Sequence, residues 1–79
     1  MKVDASTRRK LAEIGELVRS ARERARISQE ELAEKIQMRR ENVIRIEKGR
    51  ANVTVETLLR LASGLGLDLR VAFRPHRAV

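Results

Sequence analysis

Ser28-Gln29-Glu30-Glu31-Leu32-Ala33-Glu34-Lys35-Ile36-Gln37-Met38-Arg39-Arg40-Glu41-Asn42-Val43-Ile44-Arg45-Ile46-Glu47-Lys48-Gly49-Arg50 reads as two short helices joined by a tight turn. Ser28 is a good N-cap, and Glu31 three residues later completes a capping box, in which hydroxyl and carboxylate each satisfy a backbone amide. Leu32, Ala33 and Ile36 then form one apolar face at helical spacing, so the first helix stops near Ile36. The second begins near Arg39 or Arg40, with Val43 and Ile46 pointing inward. Gly49 is its stop, because glycine tolerates the left-handed conformation that ends a helix. Helices this short are not stable alone, and flanking helices must cover Leu32, Ile36, Val43 and Ile46.

The outward side of the second helix carries Arg39, Arg40, Glu41, Ile44 and Arg45. Arginine forks bond guanine O6 and N7, and a helix fits the major groove of B-DNA. This is the layout of a helix-turn-helix whose second helix reads DNA. A solvated charged face on a small bundle has the same periodicity, so the pattern alone leaves both readings open.

Before the motif, Leu11, Ile14, Leu17, Val18, Ala21 and Ala25 repeat at three and four residues, which is an amphipathic helix. Ile27 bridges from it into the core. Ser6 or Thr7 is the candidate cap, and residues 1–6 read as a flexible N-terminus. The cluster Arg8-Arg9-Lys10 is within reach of a phosphate. A solvated helix start is the favoured reading there, because cations at that end oppose the helix dipole. Met38 in the turn reads as core filler.

After the motif comes the polar loop Arg50-Ala51-Asn52-Val53, with two side-chain donors, Arg50 and Asn52. Thr54 is an N-cap, and Glu56 is well placed against the helix dipole. Val55, Leu58, Leu59, Ala62 and Leu65 form the next apolar face, and Gly64 and Gly66 end that helix. Then the period changes from 3.6 to 2. Leu67, Leu69, Val71 and Phe73 face one way, while Asp68, Arg70, Ala72 and Arg74 face the other. That alternation predicts a half-buried strand ended by Pro75. Nothing else in the chain reads as a strand, so its partner is the same segment of a second copy, paired antiparallel. The tail 75–79, with His76 and Arg77, reads as flexible.

The stretch resembles the Cro/C1-type (XRE) family of helix-turn-helix DNA-binding domains. The residues that carry the resemblance are Arg22, Ser28-Gln29-Glu30-Glu31-Leu32-Ala33, Val43, Ile46, Glu47 and Gly49, continuing into Leu58, Leu61-Ala62 and Leu65-Gly66. It implies a lambda-repressor-like four-helix domain over 7–66, and the alternating segment adds a dimerisation strand over 67–74. It implies that Arg39, Arg40, Glu41, Ile44 and Arg45 face the DNA groove. Ser28, Gln29, Asn42, Arg50 and Asn52 are then the phosphate contacts, the last two from a loop lying against the DNA backbone. Arg22 and Glu47 match a buried ion pair that locks the first helix to the recognition helix. Two positions depart from the family pattern: Gln37 and Arg26 stand where glycine is usual. A side chain at a left-handed position costs roughly 1 kcal/mol or more.

The strand after the fourth helix also resembles the HipB and HigA kinds of antitoxin. Leu11-Ala12 through Leu17-Val18-Arg19 and the segment Leu65 to Val71 look closest to HipB. That likeness implies a kinase-type toxin as partner and autoregulation of the operon. A phage-type or restriction-controller repressor without a toxin is the alternative. An adaptor that keeps the helical fold without binding DNA is the alternative of another class, with Glu41 in the basic face as its support.

Seventy-nine residues make one domain, and a chain this short buries only about 60% of its unfolded surface. Basic residues number 18 against 11 acidic, a formal charge of +7, which suits a polyanionic partner. With Phe73 as the single aromatic residue, single-strand binding lacks its stacking platforms. Cysteine is absent, so no disulfide and no thiolate metal site is possible, and one histidine does not make a metal centre. No cofactor and no catalytic constellation is expected. No apolar run is long enough to span a membrane, so a soluble, cytoplasmic, nucleoid-associated protein is expected. The sequence thus predicts a mainly α repressor that acts as a homodimer on a pseudo-palindromic operator of double-stranded DNA.

Overall fold

The capping box is made in full in the computed structural model of the chain, which describes residues 4–76. Ser28 Oγ accepts from the Glu31 amide at 3.0 Å, and the Glu31 carboxylate accepts from the Ser28 amide at 2.8 Å. Helix α2 follows over Gln29–Lys35 and ends at Ile36. The second motif helix, α3, is Arg40–Glu47, with Arg39 as an N-cap that makes no side-chain cap bond. The flanking helices are α1, Ala5–Arg24, and α4, Val55–Leu65, the latter capped by Thr54 accepting from the Thr57 amide at 3.1 Å. The architecture is mainly α, with no strand among the described residues.

All four helices end in the same way. Arg26, Gln37, Gly49 and Gly66 follow the four helices with φ of 59°, 54°, 71° and 71°. At each, two amides fold back on the last turn, as when Gly66 bonds Ser63 O at 3.1 Å and Leu67 bonds Ala62 O at 2.8 Å. This is the Schellman arrangement, which satisfies orphan carbonyls at a helix end. The two places where a side chain stands in for glycine are therefore left-handed, as the departures Gln37 and Arg26 implied. Each has an arginine beside it. Arg60 on α4 reaches back so that Nη2 donates to the carbonyls of Ile36 and Gln37. Arg22 Nη1 donates to Ile27 O at 3.0 Å.

A prediction arises at the motif turn. Gln37→Gly relieves left-handed strain but frees more of the unfolded chain, so the net gain is about 0.5–1 kcal/mol. Arg60→Ala should cost about 1 kcal/mol, the ordinary worth of a partly exposed hydrogen bond. Urea midpoints at unchanged slope measure both. A Gln37→Gly protein less stable than the parent would show that the Gln37 side chain makes a contact worth more than the strain.

The core is Val18, Leu32, Ala33, Ile36, Val43, Ile46 and Leu61, with Leu32 and Val43 fully sealed. Ile14, Ile27, Met38, Leu58 and Leu65 pack around it, so Met38 is core filler as expected. Two glycines allow the helices to close on one another. A Cβ on Gly15 would stand 2.5 Å from Ile46 O and 2.6 Å from Glu47 O, so α1 crosses the end of α3 in near backbone contact. A Cβ on Gly64 would meet Ile36 Cγ2 at 2.6 Å. Gly64 is therefore a packing residue inside α4, and Gly66 alone ends that helix.

Four expectations are corrected here. Asp4 caps α1, not Ser6 or Thr7: its Oδ1 accepts from the Thr7 amide at 2.8 Å. That bond holds the Asp4 carboxyl below its ordinary range. Residues 4–6 are thus the cap and first turn of a helix, while 1–3 lie outside the described residues. Leu17, Val55 and Leu59 were expected in the apolar faces but are 64%, 61% and 54% exposed, and Ala25 is exposed as well. Their stripes are wider than the neighbouring helices cover. Finally, residues 67–76 form neither helix nor strand. A strand exists by its ladder bonds, and no second extended segment among the described residues supplies them.

The 67–76 segment instead runs along a groove of about 440 Å³ between α1 and α4, where residues 67–72 face Ile14, Leu17, Leu58 and Leu65. Leu69 is half-buried there, whereas Leu67, Val71 and Phe73 are 52%, 69% and 102% exposed. Further along, Arg74 approaches α1. The Glu13 carboxyl is held below the usual carboxylate range chiefly by its bond to Lys10, and in small part by the charge of Arg74. Pro75 and His76 have no regular structure, and Arg77 lies outside the described residues.

Candidate nucleic-acid interface

The orientation of α3 follows from what it buries. Val43, Ile46 and Glu47 are inside, so Arg40, Glu41, Asn42 and Arg45 are left exposed on the other side, with Arg39 exposed at the cap. Ile44, expected among the groove-facing residues, is half-buried. The other four residues predicted to face a groove are brought to one accessible face.

Each end of that face opens into a polar cleft. At the start of α3, Arg40 shares a cleft of about 320 Å³ with Arg22, Ser28, Gln29 and Glu30. At its far end, Arg45, Arg50 and Asn52 share one of about 380 Å³ with Arg8, Leu11, Gly49 and Ala51. Arg45 Nη2 donates to Arg50 O at 3.3 Å, which ties the reading face to the loop that follows it. Of the predicted phosphate contacts, Ser28 and Gln29 therefore fall at one end and Arg50 and Asn52 at the other, while Asn42 is exposed on α3 and lines neither cleft.

Beneath the first cleft lies the ion pair. Arg22 Nε and Nη2 donate to Glu47 Oε2 and Oε1 at 2.6 and 3.1 Å, a two-pronged contact. The side chains are 13% and 3% exposed. Gln29 Nε2 adds a third donor to Glu47 Oε1 at 3.0 Å. The Glu47 bond raises the Arg22 pKa above its ordinary value against the opposing effect of burial. The network joins α1, the loop at Ile27, the start of α2 and the end of α3. Charge-assisted, two-pronged bonds set geometry as well as energy, so they fix how α3 is presented. Gln29 was expected on a DNA phosphate. One hydrogen of its amide is committed to Glu47, and an amide nitrogen carries two.

Arg60 has no sign in the sequence, and Arg8, there within reach of a phosphate, reads as a solvated helix start. Arg60 contacts the motif turn only because α4 folds back over it. Arg8 belongs to the second cleft because α1 passes the α3–α4 loop. Local pattern carries neither fact.

A helix-turn-helix family model matches residues 18–71. The chain belongs to the helix-turn-helix family, of the Cro/C1 (XRE) type. Its fold is similar to that in the high-resolution crystal structure of the restriction-modification controller protein C.AhdI from Aeromonas hydrophila. The TM-score is 0.75, with 31% sequence identity over 77% of this chain and 88% of that one. No curated protein sequence matches the chain. A helix-turn-helix protein built this way is a DNA-binding regulator. The similarity falls on the restriction-controller alternative and lends no support to the HipB likeness drawn from 11–19 and 65–71. No described helix is long and apolar enough to cross a membrane.

Proposed function

We propose that this helix-turn-helix protein is a sequence-specific transcriptional repressor that occupies a pseudo-palindromic operator as a homodimer. The observation that carries the reading is the exposed face of α3, with arginines at both ends and a polar cleft beyond each. In this reading α3 enters the major groove. Arg39, Arg40, Glu41 and Arg45 meet base edges, with Ile44 giving apolar contact at its margin. Ser28, the free hydrogen of Gln29, Asn42, Arg50 and Asn52 hold the flanking phosphates. Glu41 has a place in such a surface, since a carboxylate accepts from cytosine N4.

The likeness to a restriction-modification controller favours control of a small operon without a toxin. The antitoxin role, with a kinase-type toxin as partner, rests only on the likeness of residues 11–19 and of the C-terminal segment. Co-expression with the product of the adjacent reading frame separates the two, because only an antitoxin forms a stable complex with it.

The test of base reading is Arg40→Ala, on an operator first selected from random duplex. Arg40 stands in the first turn of α3, where recognition helices touch bases. The variant should lose about 1–3 kcal/mol on the operator and relax preference at one base pair. Equal loss on operator and random duplex would make Arg40 a phosphate contact, with Arg39 next to be tested for base readout. Little affinity for any duplex, with no decline as salt rises, would favour the adaptor.

A further inference from the structure

The far end of α3 is anchored by the Glu47 ion pair and by α1 crossing at Gly15. Its start has no such anchor, because Arg39 makes no side-chain cap bond. The placing of that first turn depends on residues 36–39, which lead into it. Gln37 holds them in a left-handed conformation, φ 54°, that a side chain disfavours. Among the described residues no backbone amide donates to the carbonyl of Ile36 or of Gln37. Arg60 Nη2 donates to both, the Gln37 bond at 3.3 Å. Arg60 reaches them because Gly64, one turn on along the same side of α4, lets that helix close on Ile36. A Cβ on Gly64 would stand 2.6 Å from Ile36 Cγ2. The guanidinium also meets the negative end of α2, where a cation is favoured.

We propose that Arg60 is a positioning residue for base recognition. By pinning the turn between α2 and α3 to α4, it sets where Arg39 and Arg40 meet the base edges. It acts through the turn and not on DNA, since it lines neither cleft beside the reading face. A recognition constellation must be held to within about 0.5 Å of its working geometry. An arginine fork on a base edge needs two bonds aligned at once, whereas phosphate contacts carry no sequence information. Loss of the clamp therefore costs discrimination and leaves general affinity in place. This rests on the DNA-binding reading above.

The experiment measures the ratio of operator to random-duplex affinity in full-length wild type, Arg60→Ala, Arg60→Lys and Lys35→Ala. It is run at a temperature where circular dichroism shows each protein fully folded. Lys35 lines the same hollow beside the turn and carries the same charge but bonds neither carbonyl, so it controls for charge alone. Arg60→Ala should lower operator affinity about 5- to 20-fold, within the range of one arginine fork, and leave random duplex within about twofold. Its salt slope on random duplex should match the wild type. Arg60→Lys should restore most of the ratio, because one nitrogen serves both carbonyls and an ammonium carries three hydrogens. A purely stabilising role leaves every folded protein with the wild-type ratio, and that result overturns the proposal. So does an equal loss on both duplexes with the salt slope flattened by about 0.9 per protomer, which would make Arg60 a phosphate contact. A Lys35→Ala protein that loses the ratio as Arg60→Ala does, or an Arg60→Lys protein no better than Arg60→Ala, overturns it too. Wild-type protein that binds no duplex overturns the functional reading itself, a result read before any variant is compared.

Discussion

Glu47→Ala is expected to destabilise the domain by about 3–5 kcal/mol, and Arg22→Ala by at least as much. The asymmetry follows from the surroundings of the two groups. Without Glu47, Arg22 keeps its bond to Ile27 O and is 13% exposed, so water reaches it. Without Arg22, the Glu47 carboxylate is 3% exposed with only the Gln29 amide to meet it. A domain of this length holds about 4–12 kcal/mol in all, so either variant stands near the edge of folding at 25 °C. Replacing both residues by apolar side chains of similar volume should be nearly neutral in stability. The double variant tests function as well, since it removes the bonds that fix α3 while keeping the core filled. Its operator affinity should fall more than its urea midpoint does. Single effects below about 0.5 kcal/mol, or full additivity in the cycle, would sink the coupling.

That pair shows where sequence reasoning had purchase. Nothing in helical periodicity links Arg22 to Glu47, which are 25 positions apart; their pairing came from the family resemblance. Local signals were legible from the residues. Ser28 with Glu31, Thr54, Gly49 and Gly66 name helix ends because capping needs only neighbours in the chain. Asp4 was missed because Ser6 and Thr7 are equally good caps by type, and only the start of α1 decides among them. Leu17, Val55 and Leu59 were misplaced because periodicity marks an apolar face without saying how much of it another helix covers. Gly15 and Gly64 carry no sequence signal beyond being glycine, for their role is set by backbones arriving from elsewhere. Arg8 was read as solvated from its helix position, an argument that omits the loop packed beside it.

Removing the chain beyond Leu67 is expected to convert a dimer into a monomer. Leu67 is kept because its amide closes the last turn of α4 on Ala62 O. The motive is the apolar side left without cover. Val71 and Phe73 are 69% and 102% exposed, and Phe73 is the only aromatic residue in the chain. Leu17 on α1 and Val55 and Leu59 on α4 are exposed as well. An isolated extended segment offers amides and carbonyls along both edges, and a second copy of the same segment answers both needs at once. Each large apolar side chain then buried adds about 1.5–3 kcal/mol to a small core. To read a pseudo-palindromic operator, the two-fold axis of the proposed dimer must set two α3 helices about 34 Å apart, the repeat of B-DNA. Losing the dimer should therefore cost operator binding about 10²–10⁴-fold, because each half-site is bound without the avidity of the other. Truncation bares the groove between α1 and α4, so Val71→Asp/Phe73→Asp in the full chain provides a second route to the same monomer. Sedimentation measures mass, and half-site duplex measures the residual binding. A full-length chain that is monomeric at micromolar concentration, or a double variant that remains dimeric, would remove this segment from the interface.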